Sequence, residues 1–106
     1  MIISERKGSY LPDIVEIKLL LNPIAKEYGV KRLYLFGSFA KGTSTPQSDV
    51  DLLVEKGKPI SLLKLSGMRL KCEEALQRPV DLVTTAGIEE DFKNQISGTE
   101  ILLYEE

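Results

Sequence analysis

Between Pro12 and Gly29 the apolar residues Ile14, Ile17, Leu21, Ile24 and Tyr28 recur at spacings of 3, 4, 3 and 4, which lines them along one face of an amphipathic helix. Pro12 suits the first turn and Gly29 the stop. Pro23 removes a backbone donor and crowds the carbonyl of Leu19. The apolar stripe nevertheless keeps its phase across it, which predicts one kinked helix rather than two. Arg32 to Phe36 (RLYLF) is short, apolar on both faces and closed by Gly37-Ser38, the pattern of a strand buried in the middle of a sheet. A second strand is expected over Asp49 to Glu55. The intervening FAKGTSTPQS opens with room for a single helical turn and ends in loop residues. Ser61 is placed to cap a helix that runs to about Leu76, with Leu62, Leu65, Met68, Cys72 and Leu76 facing inward. Gly67 weakens that helix slightly.

Val80 to Thr84 (VDLVT), after Arg78-Pro79, reads as a third strand. Ile88 to Ile96 reads as a last helix stopped by Gly98, and the tail EILLYEE as a short edge strand or a docked coil. Residues 1–10 lack periodicity and form a loose arm with room for a short strand at Met1 to Ser4. Helix, strand, strand, helix, strand, helix describes an α+β domain: a small mixed β-sheet with helices packed on it. No repeat, linker or low-complexity tract divides it, so residues 1–106 are expected to form one domain around one core.

Composition narrows the function classes. With 42% hydrophobic and 28% charged residues the chain has the make-up of a soluble globular protein, and no apolar run approaches the ~20 residues of a membrane span. The N-terminus lacks the features of a secretory signal, and a lone Cys72 fits a reducing compartment, so the expected location is cytoplasmic. Cys72 itself is expected in the core. There is no histidine, which excludes Ser-His-Asp and Cys-His machinery and every histidine-containing metal site. Chemistry must rest on carboxylates, hydroxyls, lysines and arginines. A net charge of −2 offers no basic stripe, so direct nucleic-acid binding is not expected.

The second strand begins with Asp49 and Asp51, while Val50, Leu52 and Val54 alternate with them. Side chains on a strand alternate faces, so the two carboxylates share one side and the aliphatics enter the core. Their Cα atoms should lie about 6.6 Å apart at ~3.3 Å per residue, close enough to share a cation. Unpaired like charges at that range repel, and a hard divalent ion such as Mg²⁺, which takes oxygen ligands, removes the conflict. Taken alone, Asp-x-Asp is more often a pair of solvated turn acids. Asp81 adds weight, because it lies between Val80 and Leu82, in an apolar setting where a carboxylate is costly unless paired or bound to metal. If the two strands are neighbours, three carboxylates converge as a metal site would require. The competing possibility is that Asp81 caps a strand end near Arg78.

Gly37-Ser38, at the exit of the first strand, has the character of a phosphate cradle. A glycine allows close backbone approach, and the turn after it would aim N–H groups and a hydroxyl at an anion. On its own the pair is more often an ordinary strand-to-turn transition. Gly37 and Gly42 have the spacing of a P-loop, but Thr43 stands where that motif needs lysine, which excludes it. Lys41 could reach a phosphate from the turn or simply be solvated.

The combination is more specific than its parts. Gly37-Ser38, ten residues, then Asp49-x-Asp51 is the Gly-Ser-x10-Asp-x-Asp arrangement of the polymerase-β-type nucleotidyltransferases, and the chain resembles that superfamily over nearly its whole length. YLFGSFAKGTSTPQSDVDLLVE resembles in particular the minimal nucleotidyltransferase (MNT) antitoxins. The resemblance implies a polymerase-β-like core in which Asp49 and Asp51 hold Mg²⁺, as two ions, Asp81 completes the site, and Gly37 and Ser38 hold a nucleoside triphosphate. Lys41 stands where many relatives have arginine, keeping the charge but losing a bidentate contact. The implied activity is metal-dependent transfer of AMP from ATP to a hydroxyl. The implied partner is a HEPN-type ribonuclease toxin, neutralised by AMP on a tyrosine. Two other roles remain open at this point: a non-catalytic antitoxin that only binds its toxin, and a subunit that modifies a small hydroxyl compound of the aminoglycoside type.

Overall fold

The computed structural model of the protein describes residues 11–56, 58–84 and 100–106. Chain order is α1 (Ile14–Tyr28), β1 (Arg32–Phe36), α2 (Ser38–Lys41), β2 (Val50–Glu55), α3 (Leu62–Leu76), β3 (Val80–Thr84) and β4 (Ile101–Glu105). The four strands form one mixed sheet in the order β3-β2-β1-β4. β1 runs antiparallel to both β2 and β4, while β2 and β3 are parallel. A parallel pair needs a crossover, and α3 supplies it. This is the expected α+β architecture. β1 lies inside the sheet, and the tail is an edge strand rather than a docked coil.

Each long helix begins where a polar side chain satisfies an otherwise orphaned amide. Asp13 Oδ1 accepts from the Glu16 amide at 2.8 Å, and Ser61 Oγ from the Lys64 amide at 3.2 Å. Pro12 therefore lies outside α1, ahead of the cap, because the Asp13 carboxylate can close the first turn and a proline ring cannot. α1 continues through Pro23 as one helix and ends at Gly29 in the left-handed conformation. α3 ends at Gln77, which adopts the same conformation (φ 56°) without being a glycine.

The period-two and period-3.6 patterns meet in one core. Ile17, Leu21 and Ala25 of α1 and Met68, Cys72 and Leu76 of α3 pack over Leu33, Leu35, Val50, Leu52, Val54, Val80 and Leu103 of the sheet. Each fully buried aliphatic of this set contributes about 1.5–3 kcal/mol relative to exposure. The first residue of each helical stripe overhangs this core instead of joining it: Ile14 is 38% and Leu62 83% exposed. Both sit in the first turn of their helix. No described helix is long and apolar enough to cross a membrane. The short strand expected at Met1 to Ser4, the arm of residues 1–10 and the helix expected at Ile88 to Ile96 lie outside the described residues.

Candidate active site

The side of the sheet away from α1 and α3 receives the other half of each strand's alternation. On β2, Val50, Leu52 and Val54 are fully buried against the helices, which turns Asp51 to the opposite side. The parallel ladder sets Asp51 directly beside Asp81, between the pairs Val50/Val80 and Leu52/Leu82. Neighbouring strands stand about 4.8 Å apart, so two aspartates meet side by side on one face. The register expected only conditionally is thus the one the chain adopts. Asp49 lies one residue ahead of β2 rather than within it, because the ladder begins at Val50, whose amide donates to the Pro79 carbonyl at 3.0 Å.

Asp51 is half-buried, and its carboxyl is pushed above the usual aspartate range by burial first, then by the charges of Asp81 and Asp49. Every one of those influences has the same sign. Asp81, by contrast, is exposed. The expectation that Asp81 bears the cost of an apolar setting is therefore corrected: Val80 points into the core, Asp81 points out, and the more buried carboxylate is Asp51. Among the described residues no three acidic or cysteine side chains stand close enough, as they lie, to hold a metal ion together. The donor set nonetheless fits one. A half-buried acid raised by two like charges is the electrostatic arrangement a divalent cation relieves, and all three groups offer hard oxygen ligands.

Gly37 ends β1 and caps α2 with φ 75° and ψ −152°, a region open essentially to glycine alone. Space demands glycine as well. A Cβ at this position would fall 2.2 Å from Asp51 Oδ2, where no atom fits. Phe36 pairs with Asp51 across the β1–β2 ladder, which is how the Gly37-Ser38 turn comes to sit on the acids. Ser38 is partly exposed at the first position of α2, Phe39 is buried beneath it, and Lys41 is exposed at the far end. The helical turn expected in this stretch is α2, closed by the Lys41 amide on the Gly37 carbonyl at 3.1 Å and the Thr43 amide on the Ser38 carbonyl at 3.0 Å. The loop back to β2 is folded on itself: Ser48 Oγ accepts from the Thr45 amide at 2.8 Å and the Ser48 amide donates to the Thr45 carbonyl at 2.9 Å. Asp49 emerges directly from that turn.

Two supports of this site carry no signal of their own in the sequence. Glu73 of α3 accepts through Oε2 from the Val80 amide at 3.0 Å and from Arg69 at 3.1 Å, fixing the start of β3 one residue before Asp81. Arg78 lies with its guanidinium carbon 5.2 Å from the centre of the Phe39 ring. Both look from sequence like ordinary charges at a helix end.

Residues 17–102 match the family profile of the nucleotidyltransferase domain. A Methanocaldococcus jannaschii protein assigned as a protein adenylyltransferase is 40% identical over 84 residues, 79% of this chain and 90% of its own length. Among solved structures, a chain of a toxin–antitoxin complex with AMP-PNP superposes with a TM-score of 0.74 at 22% identity, over 84% of this chain and 73% of that one. A chain from the complex of a tri-AMPylated Shewanella oneidensis HEPN toxin with an MNT antitoxin gives a TM-score of 0.62 at 22% identity, over 85% and 73% of the two chains. At that identity the likeness is one of fold.

Proposed function

The chain belongs to the nucleotidyltransferase domain family, and from that premise we propose that it transfers AMP from ATP to a tyrosine hydroxyl of a HEPN-type ribonuclease, acting as the antitoxin of a toxin–antitoxin pair. One observation carries the reading: Asp51 and Asp81 stand in register on adjacent parallel strands, with the Gly37-Ser38 turn in contact range of Asp51. A relative assigned as a protein adenylyltransferase and the fold of chains from toxin–antitoxin complexes support the acceptor and the partner.

In this reading Asp49, Asp51 and Asp81 hold Mg²⁺, which when bound neutralises triphosphate charge and acidifies the acceptor hydroxyl. Two ions suit three carboxylates and a triphosphate. The chain's own groups do the rest. The Gly37 backbone, lying against the Asp51 carboxylate, brings the turn up to the acids, and the Ser38 hydroxyl orients the phosphates. Lys41, exposed at the end of α2, adds a mobile positive charge to the leaving pyrophosphate. Asp81 and Asp49 are exposed to a macromolecular acceptor, and Asp81 takes the hydroxyl proton as the new O–P bond forms and the bond from the α-phosphorus to pyrophosphate breaks. The solvent-facing Asp49 and Asp81 suit an acceptor that brings its own walls.

The test is to incubate the protein with labelled ATP and Mg²⁺, with and without a HEPN partner, beside Asp49→Asn and Asp51→Asn. Label on a partner tyrosine, lost in both variants, is expected. A tight complex without transfer would replace the enzyme by a binding antitoxin.

A further inference from the structure

Three pieces of chain must be held in mutual register for this site to exist: the Gly37-Ser38 turn, the emergence of Asp49 into β2, and the start of β3 ahead of Asp81. They come from separate parts of the sequence; the β1–β2 ladder brings the turn beside β2 through the Phe36–Asp51 pair, and the β2–β3 ladder joins the other two. Arg78 belongs to the third and contacts the residues that adjoin the other two, Phe39 and Ser48. It belongs to the segment that becomes β3, immediately before the Pro79 carbonyl that accepts from the Val50 amide. Its Nη1 donates to the Ser48 carbonyl at 3.5 Å, a long hydrogen bond to the residue preceding Asp49. Its guanidinium lies over the ring of Phe39, the buried residue that follows Ser38.

We infer that Arg78 is a positioning residue that sets the distance between the phosphate-facing turn and the acids by linking Phe39 to the Ser48 carbonyl. The inference deepens the nucleotidyltransferase reading and rests on it. A planar guanidinium is suited to the task because it can stack on a ring while its edge donates a hydrogen bond, which the lysine ammonium cannot do. The contact is also placed to be selective. Glu73 already pins Val80 from α3, so the strand itself does not need Arg78 to form. What Arg78 adds is the tie across to α2.

The experiment measures binding of the Mn²⁺ complex of a non-hydrolysable ATP analogue to the full chain, with no acceptor present, at a temperature where every variant is folded. Arg78→Met keeps an unbranched stem against the ring but loses both the charge and the donor. It should weaken binding about tenfold or more, as loss of a group that orients metal ligands typically does. Arg78→Lys should recover only part of the loss. Phe39→Leu, a change that roughly conserves volume, should weaken binding too, and adding Arg78→Met to it should cost little more, because the two residues act as one unit. A fall in Tm with unchanged affinity in Arg78→Met would make Arg78 merely structural and overturn the inference, as would full additivity with Phe39→Leu. Wild-type protein that binds no Mn²⁺–nucleotide would instead remove the reading beneath it.

Discussion

Gly37 and Asp51 leave no room for one another to change: a single carbon added to Gly37 would lie 2.2 Å from the Asp51 carboxylate. Gly37→Ala must therefore move that carboxylate or the turn, while also forcing a side chain into a backbone region costing of order 1–3 kcal/mol. Transfer activity should fall at least about a hundredfold, a scale typical of misplacing reacting groups by an ångström. A drop in Tm should accompany it. Retention of near-wild-type activity would show that the turn does not abut the reacting phosphates.

Asp51 should be needed for activity and harmful to stability. Burial and two like charges raise its carboxyl above the ordinary 3.8. A raised carboxyl favours the folded state when protonated, so that benefit is complete below pH 3.8 and is lost as pH rises through the higher folded value. At neutral pH the charge is a net cost to the fold. Asp51→Asn should abolish transfer while leaving Tm at or above wild type in buffer free of divalent ions. Thermal melts of the two proteins, run side by side, decide it, and a clear fall in Tm would mean Asp51 is held by partners that favour its charge.

The facing of β2 was legible because Val50, Leu52 and Val54 are two apart and share the core side, which turns Asp51 the other way. The register of Asp51 on Asp81 was only conditionally legible. It depends on β2 and β3 being parallel neighbours, a non-local fact set by α3 crossing between them. Which acid is the more buried could not be read at all. The apolar neighbours of Asp81 in sequence suggested Asp81, but neighbours along a strand point to the other face, and exposure is decided by what lies beside the strand. Leu62 and Ile14 misled for a similar reason, since a helical stripe gives the face of a residue and not whether anything covers it. Arg78 and Glu73 were invisible as supports, because their partners are a backbone carbonyl, a backbone amide and a ring reached only in the folded chain.

If the three aspartates hold Mg²⁺ together with a triphosphate, that pair should stabilise the native state by mass action. Saturation at a hundred times Kd corresponds to about 2.7 kcal/mol, on the order of 10 °C of Tm in a domain of this size. Mg²⁺ with a non-hydrolysable ATP analogue should raise the wild-type Tm, EDTA should reverse the shift, and Asp49→Asn should show little of it. A shift of equal size in Asp49→Asn would place the metal elsewhere.

Cys72 should behave as a core group with no redox role. It is free, buried among the residues that join α3 to the sheet, and burial pushes its thiol up to about 12, with the neighbouring Glu73 charge adding to the effect. The folded protein therefore keeps the thiol neutral where an unfolded chain would ionise it. Below pH 9.0 both states hold the proton and stability is unaffected; between 9.0 and about 12 only the unfolded chain loses it, and stability declines with rising pH. At pH 8 a thiol-specific reagent should react with native protein no faster than the protein opens, and at full rate once denaturant is added. Rapid modification of the native protein would mean that α3 separates from the sheet far more readily than a core built on Met68, Cys72 and Leu76 allows.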